Sequence, residues 1–240
     1  MMGWEMPLPN WDTPAGRVLD AFLAGVHEVL PMYAEPVTLF GSAAIQLCLD
    51  ESFTSADVDV MVMSEGASLR EIAKEKGVGR SGTLRPSYGV QICPPQLFRT
   101  TPHYLLRARM EERHGLRVII PHVRDVLIAK LHRFRTTEQI GLVSKDRRAF
   151  ERVRELCGGH PSEAEVIEDL VLCAPELSLQ AEDGPNAFRL NVLALFETVY
   201  HRPLDLEKEV LKPARDSVRE VTAGGEEVGK LLGELRPERD

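Results

Sequence analysis

The feature that most restricts the fold of this chain is a short apolar run, Val37 to Phe40, broken at once by Gly41-Ser42 and followed, after fourteen intervening residues, by Asp57-Val58-Asp59-Val60. The run is rich in strand formers and too short for a stable helix. Glycine, with no Cβ, allows a sharp change of direction after it. Ala43 to Leu49 then suits one or two helical turns. From Val58 to Met63 the chain reads as a second strand, with Val58, Val60 and Val62 pointing one way and Asp57, Asp59 and Met61 the other. Two carboxylates therefore share a side, about 7 Å apart along the backbone.

The flanking sequence predicts what packs around these strands. Thr13-Pro14 supplies an N-cap and a first-turn proline, and Val18, Leu19, Phe22, Leu23, Val26 and Leu30 recur at helical spacing until Pro31. A charged helix fits Ser68 to Lys76. Residues 88–93, 103–111 and 116–120 read as further strands, the last two joined by a turn at Arg113-His114-Gly115. After Pro121 the pattern turns helical, with one stripe of Val123, Val126, Leu127, Leu131 and Phe134 and another of Phe150, Val153 and Leu156. From His160 onward the signals stay helical, broken at Pro175 and at Asp183-Gly184-Pro185, and the charged stretch beyond Gly224 is expected to fray. The expected fold is α+β, a small mixed sheet flanked by helices with a helical C-terminal extension. Residues 1–157 read as one domain and 158–240 as a helical C-terminal region.

Composition narrows the function classes. A formal net charge of -8 disfavours generic binding to nucleic acid or acidic membranes, although basic clusters occur at Arg107 to Arg117 and at Lys130 to Arg148. No run approaches the roughly 18 apolar residues of a membrane span, and Met1 to Trp11 carries Glu and two Pro where a signal peptide would be apolar. A cytoplasmic protein with no membrane partner is expected. Cys48, Cys93, Cys157 and Cys173 lack zinc-ligand or disulfide-framework spacing, so four reduced thiols are expected. His103, His114, His122 and His132 are scattered and read as surface or core residues.

The chemistry is concentrated in the first motif. A Gly-Ser turn between strand and helix lets backbone approach a phosphate, while the Ser42 hydroxyl and nearby amides donate to phosphate oxygens. Aspartates two apart on a strand can jointly hold Mg²⁺ (or Mn²⁺), which bridges triphosphate oxygens and offsets charge at a leaving group. Taken singly, Gly-Ser is usually only a turn and Asp-x-Asp only a solvated strand face. At their joint spacing they predict a nucleoside triphosphate site, with Gly41 and Ser42 on the phosphates and Asp57 and Asp59 on the metal.

At these residues the chain resembles the nucleotidyltransferase superfamily, whose pattern is a hydrophobic strand, Gly-Gly or Gly-Ser, and then Asp-x-Asp or Asp-x-Glu between hydrophobic residues. Downstream, Arg124-Asp125-Val126-Leu127-Ile128-Ala129-Lys130-Leu131 and Ser144-Lys145-Asp146-Arg147 look like runs in bacterial stand-alone nucleotidyltransferase-like proteins, some related to the toxin component of abortive-infection toxin-antitoxin pairs. The likeness covers about residues 15–157. It implies that Lys130 and Lys145 approach the phosphates and that Asp146 orients a lysine or the attacking group. It also implies transfer of a nucleotidyl group from a nucleoside triphosphate to an RNA, a protein or a small molecule.

One departure matters. Active members commonly carry a third carboxylate on a later strand, and Leu116-Arg117-Val118-Ile119-Ile120 has none, which leaves Glu111 and Glu112 as the expected substitutes. A non-catalytic member binding a nucleotide or a cognate toxin or antitoxin partner is the alternative. A glycosyltransferase also uses Asp-x-Asp, but there the pair normally ends an apolar strand, whereas Thr54-Ser55-Ala56 precedes it here.

Overall fold

The computed structural model describes residues 4–53, 57–63, 67–76, 78–79, 88–132, 144–179 and 186–218. Its centre is a six-stranded mixed sheet in the order β3-β4-β2-β1-β6-β5, built from β1 (Val37–Phe40), β2 (Asp57–Met61), β3 (Val78–Gly79), β4 (Tyr88–Cys93), β5 (Arg109–Arg113) and β6 (Leu116–Ile120). β1 lies antiparallel to β2 and parallel to β6, and β2 lies parallel to β4.

The alternation read from the sequence separates the two faces. Val37, Leu39, Val58, Val60, Val118 and Ile120 are fully or almost fully buried in one core with α1 (Pro14–Val29), α2 (Ser42–Cys48), α3 (Ala67–Glu75) and α5 (Val123–Leu131). Thr13 caps α1 by accepting from the Gly16 amide, with Pro14 at the first position, so the predicted start is the observed one. The opposite face carries a smaller cluster of Phe40, Met61, Cys93 and Phe98, with Tyr104 edge-on to Phe98. Asp57 and Asp59 lie on that less covered side, since Asp59 is level with Phe40.

The segment predicted as a strand over 103–111 is corrected. Tyr104–Arg107 is a short helix, α4, and the strand begins only at Arg109. The cause is Arg107, whose guanidinium is drawn inward to Asp125 at 2.7 Å and Asp169 at 2.7 Å, turning the chain before β5. Arg124 closes the set by donating to Asp169 at 2.9 Å, while Thr101 donates to Asp125 at 2.6 Å. Two arginines and two buried aspartates thus tie α4 and α5 to α7 (Glu163–Leu172).

Helices α6 (Ser144–Leu156), α7, α8 (Ala174–Ser178) and α9 (Ala187–Thr198), with a π-helical turn at Glu207–Leu211, complete the described chain. The predicted boundary at residue 157 coincides with the end of α6. One apolar core nevertheless runs across it, from Met6 through Phe150 to Phe196 and Leu211. Asn191 on α9 donates to the Leu131 carbonyl at 2.8 Å, so the C-terminal region holds the last turn of α5. Predicted features at Thr54-Ser55-Ala56, Phe134, Asp183-Gly184-Pro185 and beyond Gly224 lie outside the described residues. Among the described residues no helix is long and apolar enough to cross a membrane. All four cysteines are free, with Cys48, Cys93 and Cys173 buried and Cys157 half-buried.

Candidate functional site

Gly41 stands at the junction of β1 and α2 with φ 73° and ψ -159°, a backbone conformation that essentially only glycine adopts. A second reason for glycine is space. A Cβ built there would overlap the Asp59 carboxylate and come within 3.2 Å of its Cγ. The Gly-Ser turn and the aspartate pair, eighteen residues apart from Gly41 to Asp59 in sequence, are therefore in direct contact.

Ser42 opens α2 and is buried. Its Oγ accepts a hydrogen bond of 2.9 Å from Lys130 Nζ, and the same ammonium stands 3.4 Å from Asp146 Oδ1. The Lys130 and Asp146 side chains are only 2% and 1% exposed, so the lysine does not snorkel to solvent and Asp146 is not a surface helix-entry charge. A lysine has donors only. Because Lys130 fills an acceptor lone pair of Ser42, the Ser42 hydroxyl still has its own hydrogen to donate.

Two helices place this pair. His122 caps α5 by accepting from the Arg124 amide at 3.2 Å, and burial lowers the pKa of its imidazole. Asp125, in the run that drew attention in the sequence, is used in the buried network with Arg107 and faces away from the site. Asp146 lies in the first turn of α6, which packs against α5. A continuous path of contacts runs Asp59, Gly41, Ser42, Lys130, Asp146. Lys145 is half-buried beside Asp146 and is not part of that path. Asp57, two residues before Asp59 on the same face, is level with Gly89 of β4.

The expected substitutes for a third acid are corrected by register. Glu111 pairs with Val118, which is level with Val37, so it lies on the core face behind the sheet. Glu112 pairs with Arg117 on the aspartate face, but β5 is three strands from β2, about 14 Å at about 4.8 Å per strand, and this pair lies at the far end of β6. Neither reaches Asp59.

The donor set fits a hard divalent cation such as Mg²⁺ or Mn²⁺. Two carboxylates share one strand face, and the missing Gly41 side chain leaves room beside one of them. Among the described residues no group of three or more His, Cys, Asp or Glu could hold a metal ion. The pair also begins β2, as the sequence implied, whereas a glycosyltransferase pair normally ends its strand.

No protein-family model matches the chain, and no curated protein matches it. Solved structures similar to it include JHP933 from Helicobacter pylori, at 11% identity over 90% of this chain and 95% of that one with a TM-score of 0.38. Another is an antigenic nucleotidyltransferase-like protein from Paracoccidioides brasiliensis, at 18% identity over 86% of this chain and 94% of that one with a TM-score of 0.36.

Proposed function

We propose that this chain is a Mg²⁺-dependent nucleotidyltransferase that moves a nucleotidyl group from a nucleoside triphosphate to an RNA, a protein or a small molecule. The observation that carries this reading is the contact between Gly41 and Asp59, which sets a turn suited to phosphates against a carboxylate suited to a metal. Asp57 and Asp59 hold the cation. A bound Mg²⁺ or Mn²⁺ would supply positive charge that offsets the negative charge of the departing pyrophosphate.

The remaining residues orient the substrate. The Gly41-Ser42 turn receives the phosphates, and the Ser42 hydroxyl, held from behind by Lys130, donates to one of their oxygens. Asp146 keeps the Lys130 ammonium in place, and Lys145 adds positive charge at the start of α6. The acceptor oxygen bonds to the α-phosphorus as the bond to the β-phosphate breaks and pyrophosphate leaves. Residues 1–157 form the transferring unit, with 158–240 bracing α5, in a cytoplasmic protein.

A second reading is a non-catalytic nucleotide-binding member, such as one half of a toxin-antitoxin pair. The observation favouring it is that the neighbour of Asp59 on β4 is Gln91 and not an acid. The test is incubation with each labelled nucleoside triphosphate and Mg²⁺, alone and with total RNA. Transfer of label that is lost in Asp57→Asn, Asp59→Asn supports the enzyme, and triphosphate binding without transfer to any acceptor supports the second reading.

A further inference from the structure

Gln91 stands directly beside Asp59. β2 and β4 run parallel, with Asp57 level with Gly89, Asp59 with Gln91 and Met61 with Cys93. The side chains of Asp59 and Gln91 thus leave one face of the sheet from backbones about 4.8 Å apart. Val90 and Ile92, on either side of Gln91, pack toward the core, while Gln91 is exposed. On the other flank of β2, the residue level with Asp59 is Phe40.

Charge and ligand type then limit what the face can hold. Asp57 and Asp59 together offset one divalent cation. A second cation about 3.5–4 Å from the first takes, besides triphosphate oxygens, a further protein oxygen that reaches it. Gln91 offers one neutral carbonyl oxygen and an NH₂ group that cannot ligate a cation.

We propose that Gln91 is the specificity-determining residue that restricts this site to a single divalent cation per bound triphosphate. The inference rests on Asp57 and Asp59 being the metal pair. A carboxylate at position 91 would stand beside Asp59, so Gln91→Glu supplies the further protein oxygen for a second cation that the residue level with Asp59 on β4 does not. Because Gln91 is exposed, the substitution leaves the packing of β4 unchanged.

The test counts Mn²⁺ bound to the full chain in the presence of a non-hydrolysable nucleoside triphosphate, by electron paramagnetic resonance after removal of unbound ion. The natural chain and Gln91→Ala are expected to hold one Mn²⁺ with an uncoupled spectrum, and Gln91→Glu two with the broadened spectrum of a spin-coupled pair. Two coupled ions in the natural chain, or one ion in a Gln91→Glu protein that still binds the triphosphate, overturns the inference while leaving the metal pair standing. Failure of the natural chain to bind Mn²⁺ with triphosphate overturns both.

Discussion

Two groups of buried charge differ in how they end. In the first, Arg107 and Arg124 face Asp125 and Asp169, and both oxygens of each aspartate accept from a guanidinium. Arg124 also reaches Glu165 at 3.4 Å, and these charges lie on three helices, α4, α5 and α7. In the second, Lys130 and Asp146 stand 3.4 Å apart, and the contacts continue through Ser42 and Gly41 to Asp59, on a less covered sheet face that also carries Asp57. A group shared among three helices holds the fold together. A group that leads to two carboxylates on one sheet face offers oxygen donors to a divalent cation.

Breaking the group shared among three helices gives the largest expected change in stability. Arg107→Met leaves the Asp125 carboxylate, which is fully buried, without its guanidinium, and is expected to cost about 3–5 kcal/mol. Urea unfolding measures this, and triphosphate affinity per folded molecule is expected to stay unchanged. A loss within about 0.5 kcal/mol, the range of ordinary surface substitutions, would show that the group is not structural.

Gly41→Val acts where the second group meets the sheet. Its backbone conformation costs a valine about 1–3 kcal/mol, and its side chain occupies the space beside Asp59. Loss of triphosphate binding in the folded fraction is the expected result. Unchanged affinity would remove Gly41 from the phosphate site.

A smaller effect is expected at the end of α5. His132 stacks on Phe188 at 3.6 Å, and burial, reinforced by the charge of Arg99, pushes its imidazole down to about 3. The unfolded chain binds this proton near pH 6.5 and the folded chain does not, so stability falls as pH drops from about 6.5 toward about 3. His132→Gln is expected to flatten that part of the stability profile. An unchanged slope would mean that His132 does not contribute to it.

What was legible in the sequence follows the range of the forces involved. β1, α1 and the strand carrying Asp57 and Asp59 were readable because alternation and capping act within a few residues. α4 was misread because Tyr104, Leu105 and Leu106 look like strand residues, while the decisive contact is with Asp125 and Asp169, far along the chain. Gln91 could not be found at all. Its strand was predicted, but its place beside Asp59 depends on register between strands separated by a helix, and no local pattern encodes that. Glu111 and Glu112 failed as substitutes for the same reason.

Asp57→Asn, Asp59→Asn is expected to have the smallest effect on stability, within about 0.5 kcal/mol, because both side chains lie on the less covered sheet face, outside the apolar core. The same variant bears most directly on the metal and triphosphate site. The measurement is calorimetric titration of Mg²⁺ into the natural chain and the double variant, each with and without a non-hydrolysable nucleoside triphosphate. In the natural chain Mg²⁺ alone is expected to bind weakly, and Mg²⁺ and triphosphate to raise each other's affinity by the same factor, since phosphate oxygens complete the shell that two carboxylates leave open. In the double variant that coupling is expected to vanish. Coupling of undiminished size in the Asp57→Asn, Asp59→Asn protein would contradict the account and place the site elsewhere.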